Sequence, residues 1–200
     1  MKEFLNVKSA TYTCKEQELL VKNILLKVLY ILGILATSKG KSLSYLLTVS
    51  LATSKVTIVI VPLVGLKQDL LERAKGFNIP CTIYKQSRSF SNLTLISTET
   101  IVQDLEFISS LKVLQTKQRL DRIVFNKYYL IIIAKIYKSV MYRLRELVAF
   151  KTQVVFLSRT VPLYIEQALQ EEFKFVKLTT IRGITMRENI AYKARQYKSL

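Results

Sequence analysis

Gly40, Lys41 and Ser42 close a loop of small residues, ATSKGKS from Ala36 to Ser42, that follows the apolar run YILGIL and leads into an apolar helical segment. A strand, a tight loop ending in Gly-Lys-Ser and a helix together form the setting of a phosphate cradle. Backbone N–H groups at the helix start face the anion, the lysine reaches the terminal phosphates, and the serine hydroxyl binds Mg²⁺. Thr37, Ser38, Lys39, Gly40, Lys41 and Ser42 are therefore the candidate nucleotide-binding residues, with Ser42 the candidate metal ligand. The full pattern GxxxxGK[ST] is not met, because Leu35 stands at its first glycine. Gly-Lys-Ser alone recurs by chance, so the strand and helix around it carry the reading.

Other catalytic chemistries are excluded by composition. The chain has no histidine, which removes Ser-His-Asp and Cys-His nucleophiles and every histidine-containing zinc site. Its two cysteines, Cys14 and Cys81, lie far apart, with no CxxC pair and no disulfide framework. Half of the 200 residues are hydrophobic, enough for a sizeable core and about one domain. The 31 basic against 14 acidic residues give a net charge of +17, which favours polyanions, nucleic acid before an anionic membrane surface. For any single lysine or arginine, a solvated helix exterior is the plainer assignment. The longest apolar stretch, Val56 to Leu66, is too short to span a bilayer. Met1 to Asn6 alternates charged and apolar residues without the apolar core of a leader, so an intracellular, nuclear protein with no membrane partner is expected.

Six short runs rich in β-branched residues read as strands: Tyr30 to Leu35, Val56 to Val61, Cys81 to Tyr84, Leu93 to Ser97, Arg122 to Phe125 and Gln153 to Ser158. Their near-continuous hydrophobicity suits strands covered on both faces of a parallel sheet. Helices are expected over 15–28, 42–52, 66–75, 98–118, 137–148 and 162–172, the fifth of these showing apolar residues at the clearest helical spacing. This alternation predicts an α/β domain, a three-layer parallel sheet of five or six strands. Ligands of such sheets bind beyond the carboxyl ends of the strands.

The order of these segments resembles the first RecA-like lobe of RecQ-type DNA helicases, within the DEAD/DEAH-box superfamily, over roughly Tyr12 to Tyr192. LATSKGKSL is similar to the family's LPTGxGKSL, and TIVIVPLVGLKQDLLERAKGFNIPC to its motif Ia strand and helix. LISTETIV, LDRIVFNKYYLI, FLSRTVP and TMRENIAY follow in the family's order. The resemblance implies ATP as cofactor, with Gln17 of Lys-Glu-Gln in the adenine-reading position, and non-specific DNA or other nucleic acid as partner. It places Pro62, Thr98 and Glu99 on the nucleic-acid side and Ser158, Arg159 and Thr160 in motif III. It also implies that Lys41 and Asn126 face one crevice, Asn126 at the end of a neighbouring strand.

The pattern breaks at the catalytic positions. Where the family has the Asp-Glu-Cys-His box, this chain has Asn126, Lys127, Tyr128 and Tyr129. Asn126 lacks the anionic charge that Mg²⁺ prefers, and Lys127 sets a cation in place of the group that orients water. Asp121 is no substitute, since five residues at about 3.3 Å each put it near the far end of its strand. Ser38 stands where family members have a glycine, and Arg159 replaces a small residue. Asp to Asn, Glu to Lys, Cys to Tyr, Gly to Ser and His to Tyr are all one base transition read on either strand. Scarce Gly, Pro and His, absent Trp and excess Lys fit the same pressure. The expectation is a single ATP-binding domain, 1–200 with a core of about 12–192, catalytically degenerate, with Mg²⁺ binding weak or lost and the second helicase lobe absent or on another chain. The skew points to a decayed copy of a repeated helicase gene altered by directed cytosine mutation. Ordinary drift in an AT-rich genome is the alternative, against which Asn126 and Lys127 fall on sites that drift in a working ATPase would spare. The competing functions are a non-enzymatic basic nucleic-acid-binding module and a pseudogene product without selected function.

Overall fold

A computed structural model describes residues 11–51, 55–62, 64–84, 89–128 and 138–184. The TMRENIAY segment, Tyr129 and Tyr137 fall outside these residues. In chain order the elements are α1 (Lys15–Leu25), β1 (Tyr30–Ile34), α2 (Lys41–Leu51), β2 (Val56–Val61), α3 (Val64–Gly76), β3 (Cys81–Ile83) and β4 (Leu93–Ser97). There follow α4 (Thr98–Gln103), α5 (Phe107–Thr116), β5 (Leu120–Asn126), α6 (Lys138–Val148), β6 (Gln153–Ser158), α7 (Leu163–Phe173) and β7 (Thr179–Arg182).

The strands form one seven-stranded sheet in the order β3-β4-β2-β5-β6-β1-β7, and each recorded pairing is parallel. Every residue of β2, β4, β5 and β6 is buried, because helices cover both faces and leave no side for water. Alternate strand residues feed two cores. Ile31, Val59, Val124 and Val155 meet Leu20 and Ile24 of α1, Tyr45 and Leu46 of α2, and Leu70 and Ala74 of α3. Leu32, Ile58, Phe125 and Phe156 meet Ile101 of α4, Phe107 and Leu111 of α5, Leu147 of α6 and Leu169 of α7. This is the expected three-layer arrangement. Gly33 in β1 permits its closeness: a Cβ there would stand 2.9 Å from Leu157 Cδ2 and 3.2 Å from Leu20 Cδ1.

Three expectations are corrected. The sheet has seven strands, not five or six, because TTIR pairs with β1 as an edge strand too short and polar to show an apolar run. The helix expected over 98–118 is two helices, α4 and α5. Between them the Asp104 carboxylate accepts the Glu106 N–H at 3.0 Å, a local turn bond that competes with helix continuation. Asn126 does end β5, but β6 lies between β5 and β1, so the two strands are not direct neighbours. Among the described residues, no helix is long and apolar enough to cross a membrane.

Candidate nucleotide-binding site

β1 delivers the chain to the carboxyl edge of the sheet, where 36–40 turns it into α2. Lys39 N–H bonds the Ala36 carbonyl at 3.3 Å, and Ser44 N–H closes the first helical turn on the Gly40 carbonyl at 3.1 Å. Two residues take left-handed backbone conformations here, Ser38 at φ +72° and Gly40 at φ +69°. Glycine tolerates that region and serine is strained in it, so the conformation expected of a glycine persists at Ser38. At Gly40 only glycine fits: an added Cβ would meet Gln17 Nε2 at 2.0 Å.

Gln17 is buried and held on both ends. Its carbonyl oxygen accepts the Thr13 N–H and hydroxyl, each at 2.7 Å, and its amide donates to the Gly40 carbonyl at 3.3 Å. The amide therefore braces the loop from α1. It is not among the residues that line the adjoining cavity, and neither is Lys39.

That cavity, about 790 Å³, is lined on one side by Thr37, Ser38, Gly40, Lys41 and Ser42. Asn126 and Lys127, at the end of β5, and Ser158, Arg159 and Thr160, at the end of β6, line it as well. Parallel register sets the strand-end residues side by side, with Asn126 opposite Leu157 and Ile34 opposite Ser158. Ser158 is buried and its hydroxyl donates to the Thr160 carbonyl at 3.2 Å, fixing the turn that carries Arg159. Lys127 takes a left-handed conformation at φ +56° and is exposed. Beyond the candidates named from sequence, α3 contributes Leu66, Asp69, Leu70 and Arg73 to the opposite wall. No local pattern in that helix signals its approach to the loop.

The charges are lopsided. Lys41 donates its ammonium to two carbonyls of its own loop, Leu35 at 2.7 Å and Ala36 at 2.8 Å. Burial, then the Arg159 and Lys127 cations, push its pKa down to about 8. The acid on the wall, Asp69, is held by Arg73 at 3.3 Å and is 53% exposed. Ser42 and Asn126 offer neutral oxygens, with no carboxylate of their own beside them. A hard divalent cation takes carboxylate, carbonyl and water oxygens, and here cations stand where its ligands would be. Among the described residues no cluster of acidic, cysteine or histidine side chains suits a metal ion. The residues present do not fit Mg²⁺.

Asp121 lies at the opposite end of β5, as expected. It pairs with Lys27 at 2.5 Å and with the adjacent, buried Arg122 at 2.7 Å, and so is structural. Pro62 follows β2, and Thr98 and Glu99 open α4 after β4. All three share the carboxyl edge of the sheet but lie outside the cavity. Tyr128 is fully buried, edge-on to Phe156 with ring centroids 4.9 Å apart.

No family model matches the chain. Solved structures do. The crystal structure of the DUF1998 helicase MrfA bound to DNA and AMPPNP matches 91% of this chain and 28% of its own, with a TM-score of 0.70 and 13% identity. A second structure of that helicase gives 0.63 over 90% of this chain and 32% of its own, also at 13% identity. The Sulfolobus solfataricus SWI2/SNF2 ATPase core in complex with dsDNA gives 0.56 over 77% and 33%, at 14% identity. The chain thus spans between 28% and 33% of the length of these structures. At such identity the likeness is one of fold, and the fold is that of a RecA-like lobe of the kind these helicases contain.

Proposed function

We propose that this chain is a nucleotide- and nucleic-acid-binding lobe of the RecQ-like helicase type, which holds the phosphates of ATP but has lost the means to hydrolyse it. One observation carries the reading. The 37–42 loop, the Asn126–Lys127 pair and the Ser158–Thr160 turn come from distant parts of the sequence and line a single cavity at the carboxyl edge of the sheet. Lys41, Ser42 and the free N–H groups of the first turn of α2 are suited to phosphate. Phosphoryl transfer depends on positioning and on charge that stabilises the transferring group. Asn126 and Lys127 supply neither a metal-holding carboxylate nor a base, so the site binds without turning over. Helicase structures of like fold, one of them bound to DNA and AMPPNP, support the nucleotide- and nucleic-acid-binding part of this reading.

Titration with ATP followed by calorimetry tests it. Binding should be measurable and should vanish in Lys41→Ala, with no ATPase activity above background in the presence or absence of DNA. Steady DNA-stimulated turnover abolished by Lys41→Ala would refute the degenerate reading, and no ATP binding by the folded chain would refute the nucleotide reading.

The net charge of +17 favours a second, compatible role as a non-specific nucleic-acid binder. Neutralising about six phosphates gives a slope of log K on log salt near −5 for duplex DNA. A salt-independent interaction would count against it.

A further inference from the structure

We propose that the cavity is a metal-independent polyphosphate site, in which Lys127 and Arg159 supply the positive charge that a divalent cation supplies elsewhere, so that the ligand it takes is the free polyphosphate and not its magnesium complex. The proposal rests on the reading of the cavity as a phosphate site and specifies the ionic form that enters it.

Three observations converge. First, the lining residues include four cations, Lys41, Arg73, Lys127 and Arg159, against the carboxylate of Asp69, which Arg73 already holds. Lys127 and Arg159 come from the ends of adjacent strands, and both lie close enough to Lys41 to depress its proton affinity. Three cations that repel one another across a cavity are stabilised by a polyanion and destabilised further by a metal ion. Second, Asn126, 7% exposed, ends β5 and brings a neutral carboxamide to the cavity lining. Its N–H₂ can donate to a phosphate oxygen, which an aspartate in that position would repel unless a metal intervened. Third, Lys41 donates to two loop carbonyls, neutral acceptors that a phosphate oxygen would replace with an anionic one, completing an ion pair.

The experiment is calorimetric titration of the full chain with inorganic tripolyphosphate at pH 7 and constant ionic strength, once with EDTA and once with excess Mg²⁺. Variants Lys127→Glu and Lys112→Glu make the same change of charge, the second on the exposed face of α5 away from the cavity. Circular dichroism confirms that each is folded. Tripolyphosphate should bind in EDTA, and Mg²⁺ should weaken it at least tenfold. Lys127→Glu should weaken binding in EDTA at least tenfold and remove the penalty from Mg²⁺, while Lys112→Glu changes affinity less than twofold. Tighter binding with Mg²⁺ would overturn the proposal and leave the phosphate-site reading standing. So would a Lys127→Glu variant with unchanged affinity, or one no weaker than Lys112→Glu. Failure of tripolyphosphate to bind in both buffers also overturns it, and the ATP titration then decides separately on the nucleotide reading.

Discussion

The side-chain amide of Gln17 donates to the Gly40 carbonyl at 3.3 Å, tying α1 to a loop 23 residues further along the chain. The same oxygen accepts the Ser44 N–H and the Ser44 hydroxyl, each at 3.1 Å, so the loop's last residue is fixed from two helices. Gly40→Ala would set a Cβ 2.0 Å from that amide in a left-handed conformation. We expect it to lower the unfolding free energy by about 2 kcal/mol, from backbone strain and the displaced hydrogen bond. Urea denaturation measures this. Adding Gln17→Ala should recover part of the loss by removing the clash, and a double variant no more stable than Gly40→Ala would show that the backbone alone is responsible.

Lys41 predicts a pH dependence for phosphate binding. Its pKa is pushed down to about 8 by burial and by Arg159 and Lys127, with Asp69 and Arg73 facing it from α3. The charged ammonium is the form that binds an anion. Above pH 8 the free chain must take up a proton to bind, so affinity should fall by about tenfold per pH unit. Titration at pH 7 and pH 9 checks the sign, and Arg159→Gln should move the midpoint upward. Because folding lowers this pKa from 10.5, the neutral amine favours the folded state. The contribution of Lys41 to stability therefore grows as pH rises from about 8 towards 10.5.

At the other end of β5 the charges are buried in a network. Arg122, 1% exposed, donates to Asp121 and to the Thr48 hydroxyl, and Asp121 also accepts Lys27. Burial raises the pKa of Asp121, but Arg122 and Lys27 outweigh it and hold the carboxyl below its usual range. Asp121→Asn would leave a buried guanidinium unpaired and should cost about 3 kcal/mol. The folded-state pKa lies below the unfolded one, so this stability is present above the unfolded pKa and lost as pH falls through the folded value. Urea unfolding between pH 5 and pH 2 should show an acid loss that sets in below pH 3.8 in the parent chain and a shallower one in Asp121→Asn.

Tyr128 offers a stabilising change. Its hydroxyl is buried and finds no hydrogen-bond partner among the described residues. Burial, with the Glu172 charge adding to it, drives its pKa well above the usual phenol range. Tyr128→Phe keeps the ring against Phe156 and removes the unsatisfied group. We expect a gain of about 1 kcal/mol, read as a higher urea midpoint. A loss of stability would reveal a partner for the hydroxyl.

Much of the fold is legible in the sequence because parallel strands covered on both faces must be apolar throughout. Val56–Val61, Leu93–Ser97 and Gln153–Ser158 match their runs to the residue. Edge position hides β7, whose Thr179 and Thr180 carry no such run. The division of 98–118 is hidden because Ile101, Phe107 and Leu111 keep an apolar stripe across the break, while Asp104 makes the turn through one side-chain bond. At the site, strand ends are readable and helix approach is not. Lys41, Asn126 and Arg159 follow from where strands stop, whereas Asp69 and Arg73 line the cavity from α3, an approach that no local spacing encodes.

The two cores sit between the sheet and its helices, and the charged rim sits past the strand ends. Nothing that packs Phe125 or Val155 depends on which charge follows at Lys127 or Arg159. Reversing a charge at such a rim alters the ligand and leaves the melting behaviour nearly unchanged. Cellular quality control senses exposed core, so it is blind to changes of this kind. A lobe built this way can change the chemistry at its rim and still persist as a folded, strongly basic protein.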